Sequence, residues 1–199
     1  MVSSFRIRVE LDIRRDILWK VRATSAYMRF LRANGAIKRM ESIDYRETGE
    51  TTTSKSRTLL YVPANVNIPE MIAALIDDCY IEIRDTHTWD DAEPYVQYFT
   101  VRPNILQEVI STTGCLTMEE DMDDKTRCVH TLWGECNANI PLLGYYVEQA
   151  IISNMEAFYD TYNTHVKGFV KMIVNEFGDG TLASLDEAVE RLLRDERPQ

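Results

Sequence analysis

No apolar run in the 199-residue chain approaches the roughly 18 residues that a membrane-spanning helix needs. The first residues alternate from Phe5 onward, so the continuous apolar block of a secretory signal is not expected. Positive charge is in short supply. Lys and Arg number 22 against 32 Asp and Glu, and the net charge of −10 argues against general nucleic-acid binding. The four cysteines, Cys79, Cys115, Cys128 and Cys136, lack metal-ligand spacing, so no metal site and no cofactor are expected. They read as reduced thiols buried in strands, which points to the cytoplasm; two disulfides in an oxidising compartment are the alternative. There is no HExxH, no CxxC, no Gly-rich phosphate loop and no local Ser-His-Asp or Cys-His arrangement. A site assembled from distant residues stays open. No internal repeat, low-complexity block or linker divides the chain, and a single domain over 1–199 is expected.

What is present is ordered into clear periods. Phe5, Ile7, Val9, Leu11 and Ile13 alternate with Arg6, Arg8, Glu10 and Asp12, the pattern of a half-buried strand. Asp16 is a candidate cap for one helix running from Ile17 through Leu31 and stopping at Asn34-Gly35, where glycine tolerates the left-handed conformation. Strands are expected at 37–47 and 57–62, a Pro-led helix at 69–77, and strands at 80–89, 95–101, 108–119 and 126–139. Ile140-Pro141-Leu142-Leu143-Gly144 then turns into the longest helix-compatible run, Tyr145 to Phe177, which has no proline and one glycine. Its apolar stripe includes Val147, Ile151, Phe158, Tyr162, Val166, Phe169 and Ile173. A short amphipathic helix follows at 182–194. Short turns between neighbouring strands make them antiparallel, and a helix crossing one antiparallel sheet is an α+β design.

The stretch Arg127 to Leu143, with Gly134-Glu135 and then Ile140-Pro141-Leu142-Leu143-Gly144 before the long helix, resembles the START-like (StAR-related lipid-transfer-like) superfamily. That superfamily includes birch-pollen-allergen-like and polyketide-cyclase-like proteins. The likeness is to an uncharacterised branch in which a Pro-led helix precedes a strand ending in Thr-x-x-Trp; Pro69 and Thr86-His87-Thr88-Trp89 match it. It covers about residues 5–177 and leaves the helix at 182–194 outside. The resemblance implies a helix-grip fold, a curved antiparallel sheet wrapped around the long C-terminal helix, enclosing a cavity for a lipid, sterol or other small hydrophobic ligand.

Candidate ligand-lining residues follow from the faces of these elements. Ile83, Asp85, His87 and Trp89 share one face of their strand, with Phe99 on the next. His130, Leu132 and Cys136 share the less polar face of 126–139, with Gly134 beneath the helix and Trp133 outside. Asn154, Phe158 and Tyr162 come from the long helix. Polar groups among them can anchor a ligand head group, or can simply be hydrogen-bonded core residues. Asp85, His87 and His130 would carry a cyclase or dehydratase chemistry if they converge. An interaction module with a collapsed cavity is the third reading. Ile72 and Leu75 on the helix at 69–77 are candidates for a gate over the cavity mouth, or for a plug at one end of the sheet. Residues 1–40 carry ten Lys/Arg against Glu10, Asp12 and Asp16, a net of +7. That excess fits a solvated face, or transient contact with an anionic membrane.

Overall fold

The computed structural model describes residues 2–48, 54–68, 70, 72–73 and 80–196. Among these, seven strands form one sheet: β1 (Val2–Leu11), β2 (Ile37–Thr48), β3 (Ser54–Pro63), β4 (Ile83–Asp90), β5 (Val96–Pro103), β6 (Ile110–Glu120) and β7 (Cys128–Ala138). Their spatial order is β1-β7-β6-β5-β4-β3-β2, and every neighbouring pair is antiparallel. The helices are α1 (Arg15–Val21), α2 (Ser25–Ala33), α3 (Gly144–Phe177) and α4 (Leu185–Asp195), with a 3-10 turn at Leu182–Ser184. The fold is α+β, with the long helix gripped by a curved sheet.

The single helix expected after β1 is two helices, and Thr24 is the reason. Its Oγ1 donates to Val21 O at 2.6 Å, closing α1, and accepts from Tyr27 N at 3.2 Å, capping α2. Asp16 does not cap. It lies in the first turn of α1 and pairs with Arg14, which holds the cap position itself. The stop at Gly35 is as expected: its φ of +71° favours glycine, and Ala36 N donates to Leu31 O. The start of α2 gains a second cap from far along the chain. The Glu196 carboxylate accepts from Ser25 N, Ala26 N and Ser25 Oγ at 2.6–2.8 Å, beside the positive end of the helix.

One row of residues crosses all seven strands: Tyr45, Arg57, His87, Phe99, Gly114, Gly134 and Phe5 lie opposite one another in turn. The two glycines meet on β6 and β7. A Cβ on Gly114 would stand 2.6 Å from Cζ of Phe99, so the Phe99 ring occupies the space left by the missing side chain. A Cβ on Gly134 would meet Thr113 O at 2.2 Å and Gly114 Cα at 2.8 Å. Gly134 therefore makes room for the adjacent strand and not, as expected, for the helix above it.

The core fills the groove of the sheet. Tyr162, Val166, Phe169, Val170 and Ile173 of α3 pack with Phe5, Ile7, Leu11, Leu116, Met118, Cys128 and Leu132. Each fully buried side chain of this kind contributes about 1.5–3 kcal/mol. Ala188, Val189 and Leu192 of α4 join the same core. A smaller cluster of Ile72, Ile110, Ala138 and Val147 closes the end of the sheet where α3 begins. Nearby, Glu148 is 0% exposed; it accepts from Ala138 N at 3.0 Å and Ser3 Oγ at 2.6 Å, tying α3 to β7 and β1. Among the described residues, no helix is long and apolar enough to cross a membrane.

Candidate functional site

The β3–β4–β5 region turns an unusual amount of polar chemistry inward. Arg57 lies across from His87, and His87 Nε2 stands 2.9 Å from Asp85 Oδ2. Asp85 Oδ1, His87 Nδ1 and Arg57 Nε are buried with no hydrogen-bond partner among the described residues. Above this patch, Arg22 closes α1. Its Nη1 donates to Gln97 Oε1 at 2.5 Å, its guanidinium lies 3.7 Å from the centre of the Trp19 ring, and its Nε is buried without a partner among the described residues. Burial away from water and repulsion from Arg57 pull the Arg22 pKa down to about 9. Burial also lowers that of Arg57, opposed by the charge of Asp85. At neutral pH both guanidiniums remain charged.

These two arginines face a cavity of about 430 Å³ walled by Trp19, Lys20, Arg22, Ala23, Ser42, Tyr45, Arg57, Trp89 and Gln97. It sits between α1 with its following turn and the β2–β5 half of the sheet. Two tryptophans and a tyrosine form its aromatic walls, while two guanidiniums, the Lys20 ammonium, the Ser42 hydroxyl and a carboxamide supply its polar points. Aromatic walls with a few placed polar groups are the usual make-up of a small-molecule site. Among the described residues no carboxylate pairs with Arg22 or Arg57 within ion-pair distance, whereas Lys20 is paired with Glu190 at 3.4 Å.

His130 lies deeper. It is 2% exposed, neither ring nitrogen has a partner among the described residues, and the Tyr159 and Tyr162 rings flank it at 5.6 and 5.7 Å. Burial first, then the charges of Arg22 and His87, push its pKa down to about 3, so the ring stays neutral. Burial pushes the thiols of Cys115, Cys128 and Cys136 up, that of Cys128 to about 12; all three are free. A thiol held protonated is a poor nucleophile.

The residues singled out from sequence take different places in the fold. Trp89 walls the cavity. Asp85 and His87 on β4, Phe99 on β5 and His130 on β7 face the interior, with the His87 and Phe99 rings 6.3 Å apart; from α3, Tyr162 packs beside His130 and Phe158 against Tyr162. Ile83, at the far end of β4, is half-buried. Leu132 and Cys136 are core, the latter accepting from Thr112 Oγ1 at 3.4 Å. Asn154 has a clamping role: its side chain accepts from Asn67 N at 2.7 Å and donates to Asn67 O at 2.8 Å, holding the loop after β3 against α3. Ile72 is buried in the small cluster, at the opposite end of the sheet from the cavity. Leu75 lies outside the described residues. Arg22, Arg57, Gln97 and Trp19 were not anticipated. One signal was present: Arg57 shares a strand face with Leu59 and Tyr61, a cation beside apolar neighbours.

The family model described as "Protein of unknown function (DUF2505)" matches residues 6–169. The chain belongs to the DUF2505 family. Solved structures share its fold. A START superfamily protein from Mycobacterium smegmatis matches with a TM-score of 0.54 at 10% identity, over 83% of this chain and 97% of that one. TTHA0849 from Thermus thermophilus matches with a TM-score of 0.52 at 13% identity, over 83% and 98%. Ara h 8.0201 matches with a TM-score of 0.52 at 12% identity, over 84% and 99%. No curated protein matches. These likenesses establish for this DUF2505 chain the START-like helix-grip fold that the Arg127–Gly144 stretch resembles.

The basic excess of residues 1–40 is largely spent inside the protein. Arg8, Arg14, Arg15, Lys20, Arg29 and Arg39 each stand within ion-pair distance of an Asp or Glu. That arrangement favours a solvated, internally paired face over a free cationic patch.

Proposed function

We propose that this protein binds a small hydrophobic ligand of the lipid class and carries it without chemical change. The observation that carries this reading is the aromatic-walled cavity of about 430 Å³ under α1. Burying apolar ligand surface there is worth roughly 25 cal/mol per Å², enough to hold a short acyl chain or ring system. The curved sheet of the START-like fold supports it; the α1 cavity lies beside the groove that α3 fills. Free, buried thiols fit a cytoplasmic setting. Exchange with membranes would be transient, because most basic side chains near the N-terminus already have acidic partners. Native mass spectrometry and lipid extraction of the purified protein test the reading. Co-purifying lipid, or displacement of a fluorescent fatty-acid probe, is expected; a protein that is always empty and binds neither lipid, sterol nor probe would end it.

The Asp85–His87 contact favours a second reading, an enzyme of the cyclase or dehydratase type. In it, Asp85 orients His87, and His87 Nδ1 moves a proton. His130, neutral down to about pH 3, could accept a hydrogen bond but not act as an acid near neutrality. Turnover of a bound ligand that D85N abolishes without loss of binding would establish it in place of simple carriage.

A further inference from the structure

We propose that Arg22 and Arg57 form a carboxylate seat in the α1 cavity, and that the ligand is an amphipathic organic acid whose apolar body lies between Trp19, Tyr45 and Trp89. This rests on the ligand-binding reading above and specifies its head group.

Three observations converge. Both guanidiniums wall one cavity, and each keeps a buried Nε with no partner among the described residues. An inward-facing cation is costly unless an anion meets it. The third cation on the cavity wall, Lys20, is already answered by Glu190 at 3.4 Å. Arg22 is also preorganised. Gln97 holds one arm and the Trp19 ring holds the plane, so the remaining edge is fixed before a ligand arrives.

The charge count selects the head group. The nearest interior acid is Asp85, which is engaged with His87. Two guanidiniums against the single carboxylate of Asp85 leave one positive charge before any imidazole is counted. A carboxylate balances it, whereas a phosphate dianion would leave an excess negative charge. The planar guanidinium fork also matches a carboxylate geometrically. Tyr45 OH, which already donates to Glu47 at 2.6 Å, is left as wall and not as anchor.

Isothermal titration of the full chain with decanoate, decanol and decyl phosphate tests the proposal. Decanoate should bind about tenfold or more tightly than decanol, since a charge-assisted pair separates them. It should also bind more tightly than decyl phosphate. R57M and R22Q should each remove the preference for decanoate. Equal binding of decanoate and decanol by the wild-type protein would overturn the carboxylate seat and leave the hydrophobic-ligand reading standing. Tighter binding of decyl phosphate would overturn the choice of a monoanion. Failure of all three to bind would overturn both readings. The wild-type comparison decides even if a variant fails to fold.

Discussion

Arg57 on β3 lies directly across from His87 on β4, and a buried nitrogen on each lacks a partner among the described residues. A single ladder step thus joins the cation pair facing the cavity to the Asp85–His87 pair. Native interiors rarely leave polar atoms bare, because each costs the desolvation it cannot recover. Several such atoms in one patch are the mark of a site shaped for something other than stability.

Replacing Arg57 with leucine should therefore not weaken the empty protein. Loss of an unpaired, largely buried cation is expected to leave stability equal or higher by about 1 kcal/mol. Urea unfolding of ligand-free R57L and wild type makes the comparison. A loss above about 2 kcal/mol would mean that the fold itself relies on this guanidinium.

His130 should make the fold acid-sensitive. Its folded pKa of about 3 lies below the ordinary histidine value near 6.5. Above about pH 6.5 both folded and unfolded chains hold a neutral ring. Between there and about pH 3 the unfolded chain takes up a proton that the folded one resists, so stability falls as pH falls. The loss reaches about 2 kcal/mol at pH 5. Urea melts of wild type and H130Q from pH 7 to 5 should diverge in slope by that amount; parallel profiles would show that the ring protonates freely in the folded state.

Glu148 should carry a large share of the joint between α3 and the sheet. E148A leaves the Ala138 N–H and Ser3 hydroxyl without their acceptor and is expected to cost about 2–4 kcal/mol. E148Q retains a carbonyl acceptor and should lose roughly half as much. Thermal or urea denaturation of the two variants reads the difference, and an E148A protein as stable as wild type would show that the carboxylate is dispensable.

Ile72 should act on stability and not on exchange. It packs with Ile110, Ala138 and Val147, at the end of the sheet away from the α1 cavity. I72A is expected to cost about 2–4 kcal/mol, as a buried Ile-to-Ala change does. Stopped-flow release of a fluorescent fatty acid should be unchanged. Faster release from a folded I72A protein would favour the gate reading of the 69–77 helix over the plug.

The architecture was legible in the sequence because it rests on local period and on residues with narrow conformational roles. Alternation from Phe5 to Leu11 and from Cys128 to Ala138 could only be strands with one buried face. Gly35 could end a helix because its φ is positive, and the Tyr145–Phe177 run could only be one long helix. The order of these elements determined the antiparallel sheet and the gripped helix, and His130 facing inward followed from its place on the less polar face of its strand. The break at Thr24 was not legible, since a threonine cap reads like any helical threonine until its hydroxyl finds Val21 O and Tyr27 N. Nor was the partner of Gly134, because which strand or helix approaches a glycine is a matter of three-dimensional neighbours. The cavity belongs wholly to the tertiary structure. Arg22 and Arg57 are 35 positions apart and lie on a helix end and a strand, where the sequence offers only two more charges. The fold brings them to one space where, among the described residues, no carboxylate stands within ion-pair distance of either. Partial burial, by limiting water as the alternative partner, sets these two charges apart from the paired ones elsewhere on the protein.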